Sequence, residues 1–349
     1  MIPTTSPRAA GLRVAIIGLG RMGARHLQAA QNLGMTVCGL ADISHDSLAA
    51  AATSGGLDAS VCFTDAEEML RRVRPQALVV ATTAPTHAAC VLAAVANGVS
   101  YILCEKPMAS SLAEADEMIA TCRRAGTLLA VNHQMRFMPQ YTEVKALLGS
   151  DELGPLASVL VAGSNFGLAM NASHYFEMFR YLADSQVSSV QAWFDPGQLA
   201  NPRGPQFEDR SGRLLAHSEA GPSMYIDFSA AAGWGLQVVY ICRYGQIVVD
   251  ELSGDMRVAA RQAEFRDLPT TRYGMPADVR QTTIAPADTV APTMAVWSAL
   301  LDGRSYPDGD AGAHALACLV AAHASDAAGG RAVRLDDPAL ARDRIFNWA

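Results

Sequence analysis

Over the first 130 or so positions, short and almost uninterrupted apolar stretches alternate with longer segments whose apolar residues recur at helical spacing. Residues 13–17, 36–40, 61–63, 77–82, 99–104 and 128–131 read as strands. They lack polar alternation, as strands buried on both faces do. Residues 22–33, 44–52 and 85–96 read as helices. Two further helices open on Thr64-Asp65-Ala66-Glu67 and Ser111-Leu112-Ala113-Glu114, both with capping-box spacing. Gly34, Asn97-Gly98 and Ala125-Gly126 suit helix ends, and Pro85 suits a first turn. Repeated strand–helix alternation with short connections predicts an α/β unit with a doubly wound parallel sheet.

After about residue 135 the rhythm changes. Residues 139–148 and 175–182 read as helices and 156–162 as a strand. Residues 187–261 read mostly as strands separated by turns such as Arg243-Tyr244-Gly245-Gln246 and Leu252-Ser253-Gly254-Asp255. This predicts a C-terminal α+β domain built on a mostly antiparallel open sheet. Residues 200–212, rich in Pro, Gly and charge, read as a loop. Residues 268–287 have little periodicity and read as a long irregular segment, and 290–301 and 311–324 as closing helices. The expected division is 1–130 and 131–349, with the helices of 290–325 packing back on the first domain. An antiparallel sheet with one uncovered face predicts a homo-oligomer, dimer or tetramer.

The 349 residues suffice for two domains with sizeable cores, and 50% hydrophobic against 17% charged content is that of a packed chain. A net charge of −7 without a basic face argues against nucleic acid as a partner. A local arginine cluster is still compatible with an anionic ligand. The seven cysteines form no C-x-x-C pair and read as buried free thiols of a reducing compartment. No H-E-x-x-H or C-x-x-C spacing suggests a metal, and no G-x-S-x-G turn suggests a serine nucleophile. Residues 1–11 lack the apolar core of a secretory signal. His314, His323 and Asp326 interrupt the most alanine-rich stretch, so no membrane span is expected. The expectation is a cytoplasmic protein with no membrane partner.

The candidate chemistry begins with Lys106. The chain has 27 basic residues and spells all but Lys106 and Lys145 as arginine. Arginine is a permanently charged fork, whereas a lysine pKa falls on burial, so Lys106 can exchange protons. It sits in Glu105-Lys106-Pro107, at the end of an apolar stretch. Upstream lies Gly18-Leu19-Gly20-Arg21-Met22-Gly23, between a predicted strand and a predicted helix. This is the Rossmann dinucleotide fingerprint: Gly18 for the tight turn, Gly20 for backbone approach to a pyrophosphate, Gly23 for close helix–strand packing. The helix start offers free N–H groups and its positive dipole end, to which Arg21 and Met22 belong. Asp42 follows Gly23 by 19 residues, near the spacing of about 20 for an acid on the ribose. A carboxylate there repels a 2′-phosphate, so NAD is expected rather than NADP. Ala81-Thr82-Thr83-Ala84-Pro85-Thr86-His87 leaves a strand on the same sheet edge. Thr82, Thr83, Pro85 and His87 therefore join the cofactor candidates, with Glu105 and Lys106; His87 reads equally as a helix-start contact.

With these motifs the chain resembles the glucose–fructose oxidoreductase, inositol dehydrogenase and rhizopine catabolism (Gfo/Idh/MocA) family. The resemblance is carried by the glycine turn, the 81–87 loop, Cys104-Glu105-Lys106-Pro107, Asn132-His133-Gln134-Met135-Arg136-Phe137-Met138-Pro139 and Ser173-His174-Tyr175-Phe176-Glu177. It spans roughly the first 180 residues; beyond them only the coarse pattern matches. It implies an NAD-binding Rossmann domain, and a second domain that binds substrate and oligomerises. It also implies oxidation of a ring hydroxyl, or reduction of the ketone, in a sugar, cyclitol or sugar nucleotide. Lys106 would sit beside the nicotinamide and touch the substrate hydroxyl, and His174 would act as acid or base. The family often has an aspartate four residues before this histidine; here that position is Met170. Glu177 and Asn171 are the nearby polar alternatives. Gln134 and Arg136 follow the last parallel strand toward the cleft. Arg203, Arg272 and Tyr273 either bind a substrate phosphate or carboxylate or are solvated loop positions. Lys106 serves as a base of lowered pKa or as a cation facing a developing alkoxide. Two other classes remain open: an NAD-binding sensor without turnover, for which Met170 argues, and a lyase or glycosidase that uses NAD transiently.

Overall fold

A computed structural model of the chain describes residues 5–348 except 198, 270–274, 286, 287 and 289. Arg272 and Tyr273 lie outside the described residues. Strands β1 (Arg13–Ile17), β2 (Thr36–Ala41), β3 (Cys62–Phe63), β4 (Ala77–Val80), β5 (Tyr101–Cys104) and β6 (Leu128–Val131) form one sheet. Its order is β3-β2-β1-β4-β5-β6 with every pair parallel. This is the doubly wound order, with its reversal between β1 and β4. The connecting helices are α1 (Arg21–Asn32), α2 (His45–Gly55), α3 (Ala66–Val73), α4 (Ala84–Ala96) and α5 (Leu112–Ala125). The apolar run of β1 explains the layering: Val14 and Ile16 join one buried cluster, Ala15 and Ile17 the other. Successive side chains point to opposite faces, and both faces are covered.

Local signals place the helix ends. Asp65, one residue later than the spacing predicted, caps α3, its carboxylate accepting from Glu67 N at 2.8 Å and Glu68 N at 3.1 Å. Ser111 Oγ accepts from Glu114 N at 3.2 Å, and the Glu114 carboxylate accepts in return from Ser110 N at 2.9 Å. Gly126 closes α5 at φ 72°, a left-handed turn suited to glycine.

The remainder carries helix α6 (Pro139–Leu147), strand β7 (Leu156–Gly163), helix α7 (Ser173–Ala183) and strands β8 (Val187–Phe194), β9 (Gly212–Ser218), β10 (Ser223–Phe228), β11 (Leu236–Cys242), β12 (Gly245–Asp250), β13 (Asp255–Arg261) and β14 (Ala277–Thr283). Helices α8 (Ala291–Asp302) and α9 (Gly309–Ala327) and strand β15 (Val333–Arg334) complete it. The second sheet runs β14-β13-β12-β11-β7-β10-β9-β8-β15. All its pairs are antiparallel except β7 with β10. Alternation assigns Val159, Val161, Met224, Ile226, Val238 and Tyr240 to the buried face. The other face carries Val248, Val239, Leu160, Tyr225 and Leu215, in register across β12, β11, β7, β10 and β9.

Two expectations need correction. The stretch 268–287 is not wholly irregular, because β14 lies within it. All seven residues of this edge strand are exposed, so no face demands apolar residues. Its order comes from the backbone ladder with β13, which leaves no alternation to read. The helix foreseen at 175–182 also starts earlier: α7 is preceded by a π-helical turn, Leu168–Ala172.

The closing helices join the two parts. Trp297 of α8 is buried with Val14, Ile16 and Leu103 against the first sheet. A Cβ at Gly312 of α9 would run into Val131 of β6, so glycine permits the close approach there. The same helix reaches the second sheet, where Ser325 Oγ accepts from Ala192 N at 2.9 Å and His314 Nε2 from Val187 N at 3.0 Å. All seven cysteines are free thiols. Among the described residues no helix is long and apolar enough to cross a membrane, and no metal-ligating cluster occurs.

Candidate active site

At the carboxyl ends of β1, β2, β4 and β5 a cleft of about 820 Å³ opens, at the position where open α/β sheets bind ligands. Gly18 sits at φ 87°, and a Cβ on it would come within 2.7 Å of the Ala81–Thr82 backbone. A Cβ on Gly23 would run into the Gly18 carbonyl, whereas Gly20 has open space beside it. The turn is thus pressed against the end of β4 and α1, with Gly18 and Gly20 lining the cleft and open space beside Gly20. No side chain caps α1 and no acidic residue occupies its first turn, so its positive end is available to an anion. Asp42 Oδ2 accepts from Leu19 N at 2.7 Å and Oδ1 from Ser44 N at 2.8 Å. A carboxylate has about four acceptor positions, so Asp42 keeps capacity toward the cleft it lines. Beside it Ile43, 93% exposed, offers an apolar wall. These features fit a dinucleotide.

Arg21, Met22, Thr82, Thr83, Glu105 and Lys106 also line the cleft. Gly23, Pro85 and His87 do not. His87 is buried between loops, Nδ1 3.0 Å from Pro107 O and Nε2 3.2 Å from Thr82 O, and burial lowers its pKa. It ties two cleft loops together.

Glu105 is the hub beneath Lys106. Its Oε1 accepts from His26 Nε2 and from Asn132 Nδ2, both at 2.8 Å. Burial pushes this carboxyl up, but His26, Lys106 and Asn132 outweigh it and hold its pKa at about 2. A fixed anion therefore stands next to the lysine. Lys106 Nζ donates to Met170 O at 2.7 Å. Burial brings the Lys106 pKa down to about 8 against the pull of Glu105; Arg203 and Arg21 lower it further, and Asp209 opposes them. The ammonium is thus poised to lose a proton near neutrality.

His174, at the start of α7, packs edge-on against His133 with ring centroids 5.7 Å apart. Burial, then Lys106 and His133, lower the His174 pKa well below its ordinary value, and His133 is brought to about 3 by burial and Lys106. Both rings are neutral at neutral pH. Among the described residues Asn132 Oδ1, His133 Nδ1, Gln134 Oε1 and His174 Nδ1 are buried without a hydrogen-bond partner. Buried polar atoms are ordinarily paired.

Arg136 and Glu177 face elsewhere. Arg136 pairs with Glu177 at 3.4 Å, reaches Ser305 Oγ at 3.0 Å, and lies over the Tyr181 ring. Glu177 also holds Arg180 at 2.6 Å. This buried network joins α7 to the turn after β6. Asn171 is half-buried in the π-helical turn, next to Met170, which itself lines the cleft. Arg203 reaches the same cleft from the loop between β8 and β9, exposed beside Pro202.

Sequence reasoning missed His26, Asn132, His133 and Asp209. Asn132 and His133 stood inside a stretch that carried the resemblance, and His26 lies three residues beyond the last fingerprint glycine. Asp209 had no local signal, since it sits in an aperiodic loop.

Residues 12–133 match the family model GFO_IDH_MocA, described as an oxidoreductase family with an NAD-binding Rossmann fold. An inositol 2-dehydrogenase of Pseudarthrobacter chlorophenolicus is 28% identical over 268 residues, 72% of this chain and 77% of that one. Among solved structures, an Agrobacterium radiobacter oxidoreductase in complex with NAD+, L-tartaric acid and magnesium aligns with a TM-score of 0.78 at 20% identity, covering 93% of this chain and 99% of that one. An Azotobacter vinelandii inositol dehydrogenase homolog complexed with NADH and myo-inositol aligns with a TM-score of 0.76 at 18% identity, covering 95% and 100%.

Proposed function

The chain belongs to the Gfo/Idh/MocA family of oxidoreductases, and on that premise we propose that it is an NAD-dependent dehydrogenase acting on a ring hydroxyl or ketone of a sugar-like polyol. The observation that carries this reading is the pair of unpartnered buried imidazole nitrogens on His133 and His174, both within the field of Lys106. A ligand dense in hydroxyls, each both donor and acceptor, is the chemistry such atoms accept. The polyol names of related proteins, inositol among them, support the same class.

When bound, the nicotinamide accepts or returns a hydride. The protein's own residues do the rest. Gly20 and the start of α1 would receive the pyrophosphate, Asp42 the adenosine ribose, and Ile43 the adenine face. In oxidation neutral Lys106 takes the hydroxyl proton as hydride leaves carbon; in reduction the ammonium returns it. Glu105 fixes the lysine's field, and the Met170 carbonyl fixes its direction. Neutral His174 hydrogen-bonds the reacting or neighbouring hydroxyl, in whichever tautomer the ligand selects. Arg203 and Arg21 put positive charge at the cleft, which favours anionic groups of cofactor or substrate.

We further propose that a second copy of the chain covers the apolar row on the outer face of the nine-stranded sheet. Exposed Leu160, with half-buried Val248, Val239, Tyr225 and Leu215 in register beside it across five strands, forms a row of the kind that marks interfaces.

The deciding assay follows nicotinamide absorbance while the protein meets NAD or NADH with cyclitols, sugars, sugar nucleotides and their keto forms. NAD-linked turnover, reduced by about 10²–10⁴-fold in Lys106→Met with NAD binding retained, is the expected result. NAD binding without turnover on any member, or product formed at constant cofactor, would overturn it.

A further inference from the structure

We propose that Asp209 is the positioning carboxylate of the Lys106 site: it gathers the backbone that holds Lys106 and adds a negative charge within reach of the ammonium. The inference rests on the reading of Lys106 as the group at the reacting oxygen.

Asp209 lies in the loop before β9 and is only 4% exposed. A carboxylate so deeply placed needs compensation. It receives three backbone N–H groups: Ala169 N at 2.9 Å and Arg210 N at 2.8 Å on Oδ1, and Met170 N at 3.1 Å on Oδ2. Among the described residues it has no ion-pair partner. Its charge is felt instead by Lys106, and that of Lys106 by Asp209. Gly167 makes room for it. That residue has φ −68°, open to any amino acid, yet a Cβ there would run into the Asp209 carboxylate. The glycine is therefore required by the carboxylate and not by the backbone angle. Leu168 N donates to Arg210 O at 2.8 Å, which ties the loop to the π-helical turn, and Leu199 N to Asp209 O at 3.1 Å, which closes the loop on itself.

The arrangement answers the departure at residue 170. Where the family resemblance implies an aspartate, the chain carries Met170, and the carboxylate arrives from residue 209 onto that methionine's own N–H. The Met170 carbonyl, aimed by the same turn, takes the Lys106 ammonium. The groups facing Lys106 are Glu105, Asp209, Arg21, Arg203, His133 and His174. Of these Glu105 and Asp209 are the anions, and Glu105 already answers to His26 and Asn132.

The test uses the chain's two lysines. Competitive acetylation of the full-length protein by acetic anhydride at pH 6 to about 10.5, with both lysine peptides quantified by mass spectrometry, reports the ionisation of Lys106 with Lys145 as internal reference. No cofactor or turnover is needed. In Asp209→Asn the Lys106 midpoint should fall by on the order of one unit while Lys145 stays, and the limb of the kcat/KM profile should move with it. Asp209→Glu, which keeps the charge, should return the midpoint toward wild type. An unmoved Lys106 midpoint in a folded Asp209→Asn protein would overturn the proposal, whatever its melting temperature. If Asp209→Asn does not fold, Asp209→Ser gives the same readout, and failure of both would assign Asp209 to the fold and sink the positioning role. A shifted midpoint in a protein that oxidises no polyol would leave this inference standing and remove the dehydrogenase reading.

Discussion

On the proposed reading, Lys106 is a lysine among arginines because proton transfer to and from the substrate needs a cation that can become neutral. With a pKa of about 8, it is mostly ammonium at pH 7 and mostly amine at pH 9. If the amine is the base, kcat/KM for alcohol oxidation should fall about tenfold per unit as pH drops below about 8. Reduction, which needs the ammonium, should instead decline above that value. A pH series in both directions measures this, and an oxidation rate flat across pH 7 to 9 contradicts it. His174 adds no second limb there, because its pKa lies well below the ordinary value. Asp42 acts at the other end of the cleft. Asp42→Ala should weaken NAD by roughly 10–100-fold, the loss of hydrogen bonds to a charged group, and narrow its advantage over NADP. Titration with both nucleotides gives the ratio. Asp42 could be nominated from its spacing, Lys106 from its residue type and His174 from the family resemblance. His26, His133 and Asp209 could not, because their roles come from neighbours distant in the chain.

The strand–turn–helix unit β1–α1 depends on its glycines for different reasons. Gly18 supplies a positive φ, and Gly23 supplies absence: a side chain there meets the Gly18 carbonyl. Gly23→Ala should therefore lower the melting temperature and cost about 1–3 kcal/mol. It should also weaken NAD by at least about tenfold as α1 is pushed off the turn. Calorimetry and nucleotide titration on one preparation test both effects, and an unchanged variant would deny the packing role. Helices and buried strands of the first sheet were readable because their apolar periods record what each face touches. β14 and the π-helical turn were not. The first is solvated on both faces, and the second is held by Asp209 and by Lys106, both remote in sequence.

Across the whole molecule, α8 packs back on the first sheet and α9 spans from that sheet to the second, while Met170, Pro202 and Arg203 close the cleft opposite the glycine turn. The second sheet buries one face internally and leaves Leu160, 37% exposed, in the middle of an apolar row on the other. Sedimentation should find wild type as a dimer or tetramer. Leu160→Glu puts a charge where a partner would remove water, at a cost of several kcal/mol, and should yield monomers that still bind NAD. A monomeric wild type would refute the assignment of that face.

Taken alone, the sequence determined the order of strands and helices around the first sheet, the glycine turn, the acid at Asp42, and the one lysine at the end of a buried strand. These are local facts: a periodicity, a spacing, or a residue type whose chemistry is its own. Tertiary structure decided which groups surround that lysine. It brought Glu105, His26 and Asn132 together beneath it, turned Glu177 away into an ion-pair network, and carried Asp209 in from an aperiodic loop to the empty position beside Met170. Charge and desolvation act through space, and no reading along the chain contains the distances on which they depend.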